Sequence, residues 1–268
     1  MRQILLGGVA VFRESVRDRV PYSIVVFAVL MIAASYLMSQ LTAGQDLKII
    51  KDLGLAALSI FGLAIAVFIG VGLVTKEVEK RSVYGLLTKP LSRAEFLLGK
   101  FAGLVMTLAV NLSVMTIALY AVLFYAHVSA SPGLRASWEA PAVDPRMLIA
   151  IVLIFAELML VTALALFFST FSSALWATLL TLGLWIAGHF NSDLRNFGAV
   201  VDSAPVIWLA RVLYYVIPNL AAFDIRSEVA HGIHVSASHV GYTLAYAALY
   251  IGVLLTASAT IFSRRDFK

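Results

Sequence analysis

The sequence predicts an all-α integral membrane protein: six transmembrane helices, an N-terminal interfacial helix, a cytoplasmic helix between the second and third spans, and an outer-face amphipathic or re-entrant segment. Three observations predict it. Of 268 residues, 61% are apolar and 13% charged, whereas a soluble domain is about 45–50% apolar and about 25% charged. The surplus apolar surface needs lipid. Several runs are long enough to cross a bilayer and nearly free of charge. Finally, Lys and Arg gather on alternate connections. The absence of cysteine excludes a disulfide scaffold and a zinc–cysteine site, and the composition excludes a disordered tail protein.

A spanning helix takes about 20 mostly apolar residues. The runs that meet this are 22–41, 53–75, 101–126, 148–169, 174–190 and 240–262. With the N-terminus inside, the inner segments hold thirteen of the Lys and Arg residues and the outer loops seven. That asymmetry places both termini in the cytoplasm. It also accounts for the pI near 9.5 without nucleic acid as a partner. Residues 1–19 lack the cleavage site of a signal peptide. Ile4, Leu5, Val9, Phe12 and Val16 recur at helical spacing, which suits a helix on the inner leaflet. Residues 204–221 are about one span long, but Arg211 sits near the middle and Pro218 interrupts them. They are read as an amphipathic or re-entrant helix in the outer leaflet rather than a seventh span. Trp208, Tyr214 and Tyr215 suit the headgroup level there.

The segment between the second and third spans, 76–100, carries the most local information. Lys76 to Leu87 can form a short helix with Val83, Leu86 and Leu87 on its apolar side. Pro90 cannot continue that helix and pushes Lys89 toward extended geometry. Ser92 to Glu95 reads as a capping box that starts a new helix. Such a helix–turn–helix on the membrane surface is either a basic anchor for two spans or a docking element for a cytoplasmic partner.

The string KEVEKRSVYGLLTKPLSRAEFLLGKFAG resembles the segment that ABC type-2 exporter permeases place between their second and third spans. Glu77, Leu86, Leu87, Pro90, Ser92, Arg93, Gly99 and Lys100 match that pattern. Ala163 to Ser173, Tyr214 to Phe223 and Ile261 to Phe267 are similar to later parts of the same family. The resemblance is closest to single-subunit permeases that include the nitrous-oxide-reductase maturation permease. It implies a permease domain over 1–268 in the bacterial inner membrane, pairing as a homodimer with two copies of a separate ABC ATPase. Residues 76–91 would be the coupling helix, with Glu77, Arg81, Leu86, Leu87, Pro90, Ser92 and Arg93 coupling to the ATPase. Residues 1–19 would be the connecting helix, and 191–239 would cap the outer end of the pathway. ATP and Mg would be used by the partner, and this chain would bind no cofactor.

The sequence has no GxxxxGK[ST] phosphate loop, no HExxH and no GxSxG elbow, so no ATPase, zinc-peptidase or hydrolase site is expected. His231, His234 and His239 lie in the last outer loop. Imidazoles there suit a metal, but exposed loop histidines are the plainer reading, and no metal site is assigned. Glu157 is the one Asp, Glu, Lys or Arg inside a predicted span, about 13 Å down its helix at 1.5 Å per residue. A charge there is costly, so it is expected to face the protein interior. Two readings stand: a polar element of the transport path or dimer seam, together with Asn111 and Thr116, or a neutral acid hydrogen-bonded to a neighbouring helix through such groups. The chain shows no internal repeat, as a secondary transporter usually would, and only a thin polar stripe for a channel. Those two remain the alternative to an exporter subunit. Its largely apolar spans suit an amphipathic or lipid-like substrate and contact with membrane lipid.

Overall fold

Residues 147–169 have no polar face, and a helix that is apolar all round must be enclosed by others. The computed structural model, which describes residues 26–27, 29–31, 33–34, 46–79, 93–136, 138, 140–191 and 203–264, is built around that helix. In chain order the elements are α1 (Asp46–Glu79), α2 (Arg93–Ser129), α3 (Pro132–Ala136), α4 (Met147–Ser169), α5 (Ala174–His189), α6 (Ala204–Val216), a 3-10 turn (Ala221–Phe223), α7 (Arg226–Ala230) and α8 (Ala237–Arg264). Among the described residues there is no strand. The residues described between 26 and 34 are helical, and Phe27, Met31 and Ala34 are buried.

The helix α4 is the axis, packed by α1, α2, α5 and α8. Its core contribution includes Leu153, Leu158, Leu160, Val161, Leu164 and Ala165. Gly54 and Gly62 of α1 bring the backbones close: a Cβ at the first would strike Leu119 and at the second Leu158. Small residues at contacts between apolar helices allow this approach. By contrast, α8 turns most of its length outward, with Tyr242, Leu249 and Val253 exposed.

One end of the bundle, the hairpin end, holds the last turn of α1, the first of α2, the α4–α5 turn and the end of α8. Phe96 and Phe262 stack there with ring centroids 6.3 Å apart. In the α4–α5 turn, hydroxyls add a second hydrogen bond to carbonyls at the end of α4 that already accept backbone N–H groups. Ser169 donates to Leu166 O, Thr170 to Phe167 O and Ser172 to Phe168 O. The opposite, loop end is tied by residues 138–146. Lys51 Nζ donates to Pro141 O at 2.7 Å, the Tyr120 hydroxyl to Asp144 O at 2.8 Å, and the Arg146 guanidinium to Gly232 O at 2.8 Å. Gly232 has φ 72°, a left-handed conformation that glycine adopts without strain, and it turns the chain out of α7.

Four helices are long and apolar enough to cross a membrane: Leu47–Gly72, Ala94–Ser129, Met147–Ser169 and Ala237–Ser263. Pro205–Val216 and Ala221–Ala230 together would make a fifth, bent by 47° at the break. Three boundaries differ from the sequence reading. First, α1 starts before residue 53, because Lys51 lies within the helix and is only 1% exposed. A long aliphatic stem packs in the core while the ammonium reaches a loop carbonyl. Second, Lys76–Glu79 continue α1 rather than beginning a separate helix. Third, α5 has 16 residues, about 24 Å at 1.5 Å per residue, short of a full hydrocarbon span. The predicted interfacial helix 1–19 and most of the span 22–41 lie outside the described residues.

Candidate functional site

The reason α5 can be short is the segment that follows it. Ser203 is extended and α6 starts behind it with Pro205 in its first turn. Pro218 ends α6, leaving Ile217 extended at φ −81°, ψ 130°, as the residue before a proline prefers. The chain then turns into the bundle, where Leu220, Phe223, Ile225, Val229 and Ala230 are all buried. α6 itself stays at the surface with Trp208, Leu209, Tyr215 and Val216 exposed.

This 217–230 segment sits on the end of α5. Leu220 N donates to Gly188 O at 3.0 Å. The Asn191 side-chain amide donates to Tyr214 O at 3.1 Å and Ile217 O at 3.0 Å. Two tyrosines of α8 hold its other side: Asn219 N donates to the Tyr246 hydroxyl at 3.0 Å, and the Tyr250 hydroxyl donates to Val216 O at 2.6 Å. The sequence reading makes this stretch an amphipathic or re-entrant segment rather than a seventh span; the 47° bend at the break fits a re-entrant segment and a broken span alike.

Beneath that seat lies Glu157, 2% exposed. Trp185 Nε1 donates to Glu157 Oε1 at 2.8 Å, and His189 Nε2 lies 3.6 Å from the same oxygen. The Trp185 and His189 rings are in contact, centroids 4.6 Å apart. Asp224 and Arg226 of the capping segment pair with each other, Nε to Oδ1 at 2.7 Å, and both act electrostatically on Glu157. So α4, α5 and the capping segment converge on one buried polar cluster.

The partners expected for Glu157 are different from those found. Asn111 is fully buried on α2, but its amide donates to Thr107 O at 3.3 Å within its own helix. Asn111 Oδ1 and Thr116 Oγ1 meet no hydrogen-bond partner among the described residues. Glu157 points toward α5 instead, so its polar neighbours are an indole and an imidazole one turn apart. Of the residues expected to couple to an ATPase, Arg81, Leu86, Leu87, Pro90 and Ser92 lie outside the described residues. Glu77 falls in the last turns of α1 and Arg93 opens α2, and their side chains are not described. His231, His234 and His239 each approach a different backbone carbonyl, those of Ser227, Val235 and Ala222. Among the described residues no group of three or more His, Cys, Asp or Glu is placed to hold a metal ion.

A bundle of long apolar helices around a largely apolar central helix, closed at one end by a segment that dips back into it, is the build of a multi-pass membrane protein. The particular family follows from the chain itself: it belongs to the ABC-2 family of transporter proteins, whose family description, ABC-2 family transporter protein, matches residues 11–267. No curated protein matches it. Membership makes the chain a membrane transport subunit and implies a partnering ATP-binding subunit.

Proposed function

We propose that this chain is the permease subunit of an ABC exporter that pairs as a homodimer and couples a separate ATPase to export of an amphipathic or lipid-like substrate. The observation that carries this reading is the family match over nearly the whole chain. In this reading the hairpin end faces the cytoplasm. The coupling segment 76–100, which spans the α1–α2 junction there, docks the ATPase through Glu77, Arg81, Leu86, Leu87, Pro90, Ser92 and Arg93. Both helices enclose α4, so a displacement of their junction bears on the centre of the bundle. The loop end faces outward and the 217–230 segment closes it. Lys and Arg favour the hairpin end, as the cytoplasmic side of a bacterial inner-membrane protein requires.

The substrate class is supported by the strongly apolar character of the long helices and by several of their buried hydroxyls being turned back onto their own helix. Thr107, Thr162, Thr181 and Ser258 each donate to the carbonyl four residues back in their own helix. A hydroxyl that donates in this way keeps only its acceptor lone pairs for a solute. The test is co-expression with an ABC-type ATPase encoded beside this gene, followed by purification and reconstitution in lipid vesicles. ATP turnover is expected only with both subunits, in a complex of two permeases and two ATPases. Robust hydrolysis by this chain alone, or failure of any ABC ATPase to co-purify, would refute the reading.

A further inference from the structure

The cluster under the capping segment has a proton inventory that its geometry fixes. His189 Nδ1 lies 3.0 Å from Trp185 O. A carbonyl only accepts, so Nδ1 carries a hydrogen. The variable nitrogen is then Nε2, and it faces Glu157 Oε1 at 3.6 Å. That oxygen already accepts from the Trp185 indole, which only donates. With no proton between them, the Nε2 lone pair opposes a carboxylate. With one, the contact is attractive, either as carboxylic acid and neutral imidazole or as carboxylate and imidazolium. With two, an imidazolium and a neutral acid share a buried space near the Arg226 guanidinium.

We propose that Glu157, Trp185 and His189 form a buried proton-binding site, and that holding one proton there seats the 217–230 segment on the end of α5. The link is short. Gly188 and Asn191, on either side of His189, make the hydrogen bonds that hold Leu220, Tyr214 and Ile217. A shift of the last turn of α5 therefore moves the segment's own anchors. The His189 side chain is 23% exposed and that of Glu157 is 3%, so the imidazole is the route by which the proton exchanges.

The other ionisable groups bearing on the pair do not supply this proton. Asp224 and Arg226 of the capping segment neutralise each other, and Asp52 of α1 acts on Arg226. From α8 come Tyr246, whose hydroxyl accepts from Asn219 N of the capping segment, and Tyr250, whose hydroxyl donates to Val216 O at the end of α6. The polar residues of α2, Thr107, Asn111 and Thr116, do not titrate.

The test uses the full chain in lipid vesicles and needs no ATPase, so its outcome is independent of the exporter reading. The protein has no cysteine, so Leu220→Cys, at a fully buried position, reports the seat and Ile233→Cys, at a position 56% exposed, reports intrinsic thiol reactivity. The ratio of their maleimide labelling rates removes the pH dependence of the thiol. In the wild-type background the ratio is expected to be lowest at intermediate pH and to rise about tenfold toward both acid and alkaline ends. Glu157→Gln keeps the oxygen that accepts from Trp185 and faces Nε2 but takes up no proton itself, so its ratio should stay low toward acid pH, where Nε2 carries a hydrogen, and rise only on the alkaline side. Glu157→Leu should be loose at every pH. A wild-type ratio that does not change with pH overturns the proposal. So does a Gln variant that titrates like wild type or is as loose as Leu. Should the Leu variant fail to fold, wild type against Gln still decides.

Discussion

Lys51 and Glu157 are both enclosed by apolar helices, and each is satisfied by a group that lies far away in sequence. Lys51 reaches the carbonyl of Pro141, and Glu157 accepts from Trp185. An interhelical hydrogen bond in a membrane is worth about 0.6–2 kcal/mol. Glu157→Leu should therefore lower stability by about 1–2 kcal/mol, while Glu157→Gln should stay close to wild type. Reversible chemical unfolding in detergent micelles measures both, and a Leu variant as stable as wild type would remove the Trp185 bond from the account. Gly188 is a stricter position. A Cβ there would lie 2.7 Å from Pro218 O, a backbone atom that cannot swing aside, and 2.7 Å from Leu220 Cγ. Gly188→Ala is expected to cost about 1–3 kcal/mol, the scale of overpacking a closed site, and to displace the 217–230 segment. The same unfolding measurement, with proteolysis of that segment, checks it. At this scale the sequence marked Glu157 as the odd residue, because a lone acid in an apolar run is visible on inspection. Its partners were not visible. Trp185 and His189 stand four apart on α5 and so share a face, a pattern that could have nominated them, but only packing turns that face toward Glu157 rather than toward lipid.

The elements follow their apolar runs closely, and they part from them where charge and helix coexist. Counting charge-free residues starts the second span at 53, whereas α1 begins at Asp46 and carries Lys48, Lys51 and Asp52 on its first two turns. The third run likewise extends back to Arg93, and Lys100 lies inside α2 with its ammonium 4.8 Å from the centre of the Phe96 ring, a favourable cation–π placement. Snorkelling stems and ring faces let charged residues extend a helix beyond the apolar window. Residues 80–92 are the element on which the coupling proposal rests. Leu86→Asp or Leu87→Asp, placing a carboxylate where an apolar contact is proposed, should abolish co-purification of the ATPase subunit, since an unpaired buried charge is costly. The membrane domain should elute normally on size exclusion. Unchanged co-purification and transport in both variants would place docking elsewhere.

For the whole molecule, the proposed orientation makes a direct prediction. A cysteine at residue 268 should react with a membrane-impermeant thiol reagent only when the cytoplasmic side of vesicles is open, and one at Ile233 only from the outer side. Labelling of residue 268 from outside would reverse or break the proposed topology. The two ends of the bundle already differ in construction. At the hairpin end, α4 and α5 meet through a short turn, and α2 and α8 through the stacked Phe96 and Phe262 rings. At the loop end, residues 140–146 and 217–230 fold back over α1, α2, α4 and α5 and bury Ala142, Asp144, Leu220, Phe223, Ile225 and Val229.

By itself the sequence determined that the chain lives in a membrane, that it is helical, roughly where the four long described helices run, and that Pro218 prevents residues 204–221 from forming one straight span. These properties are set by local composition and by backbone constraints acting over a few residues. The tertiary structure alone decided that α4 is the enclosed axis, that α5 stops short beneath a capping segment, and that Glu157 faces an indole and an imidazole rather than Asn111 and Thr116. Helices that are apolar on every side give no local signal for which face meets which neighbour. That choice is made by close packing, by the room left where side chains are small, and by the need of each buried polar group to find a partner wherever the fold brings one.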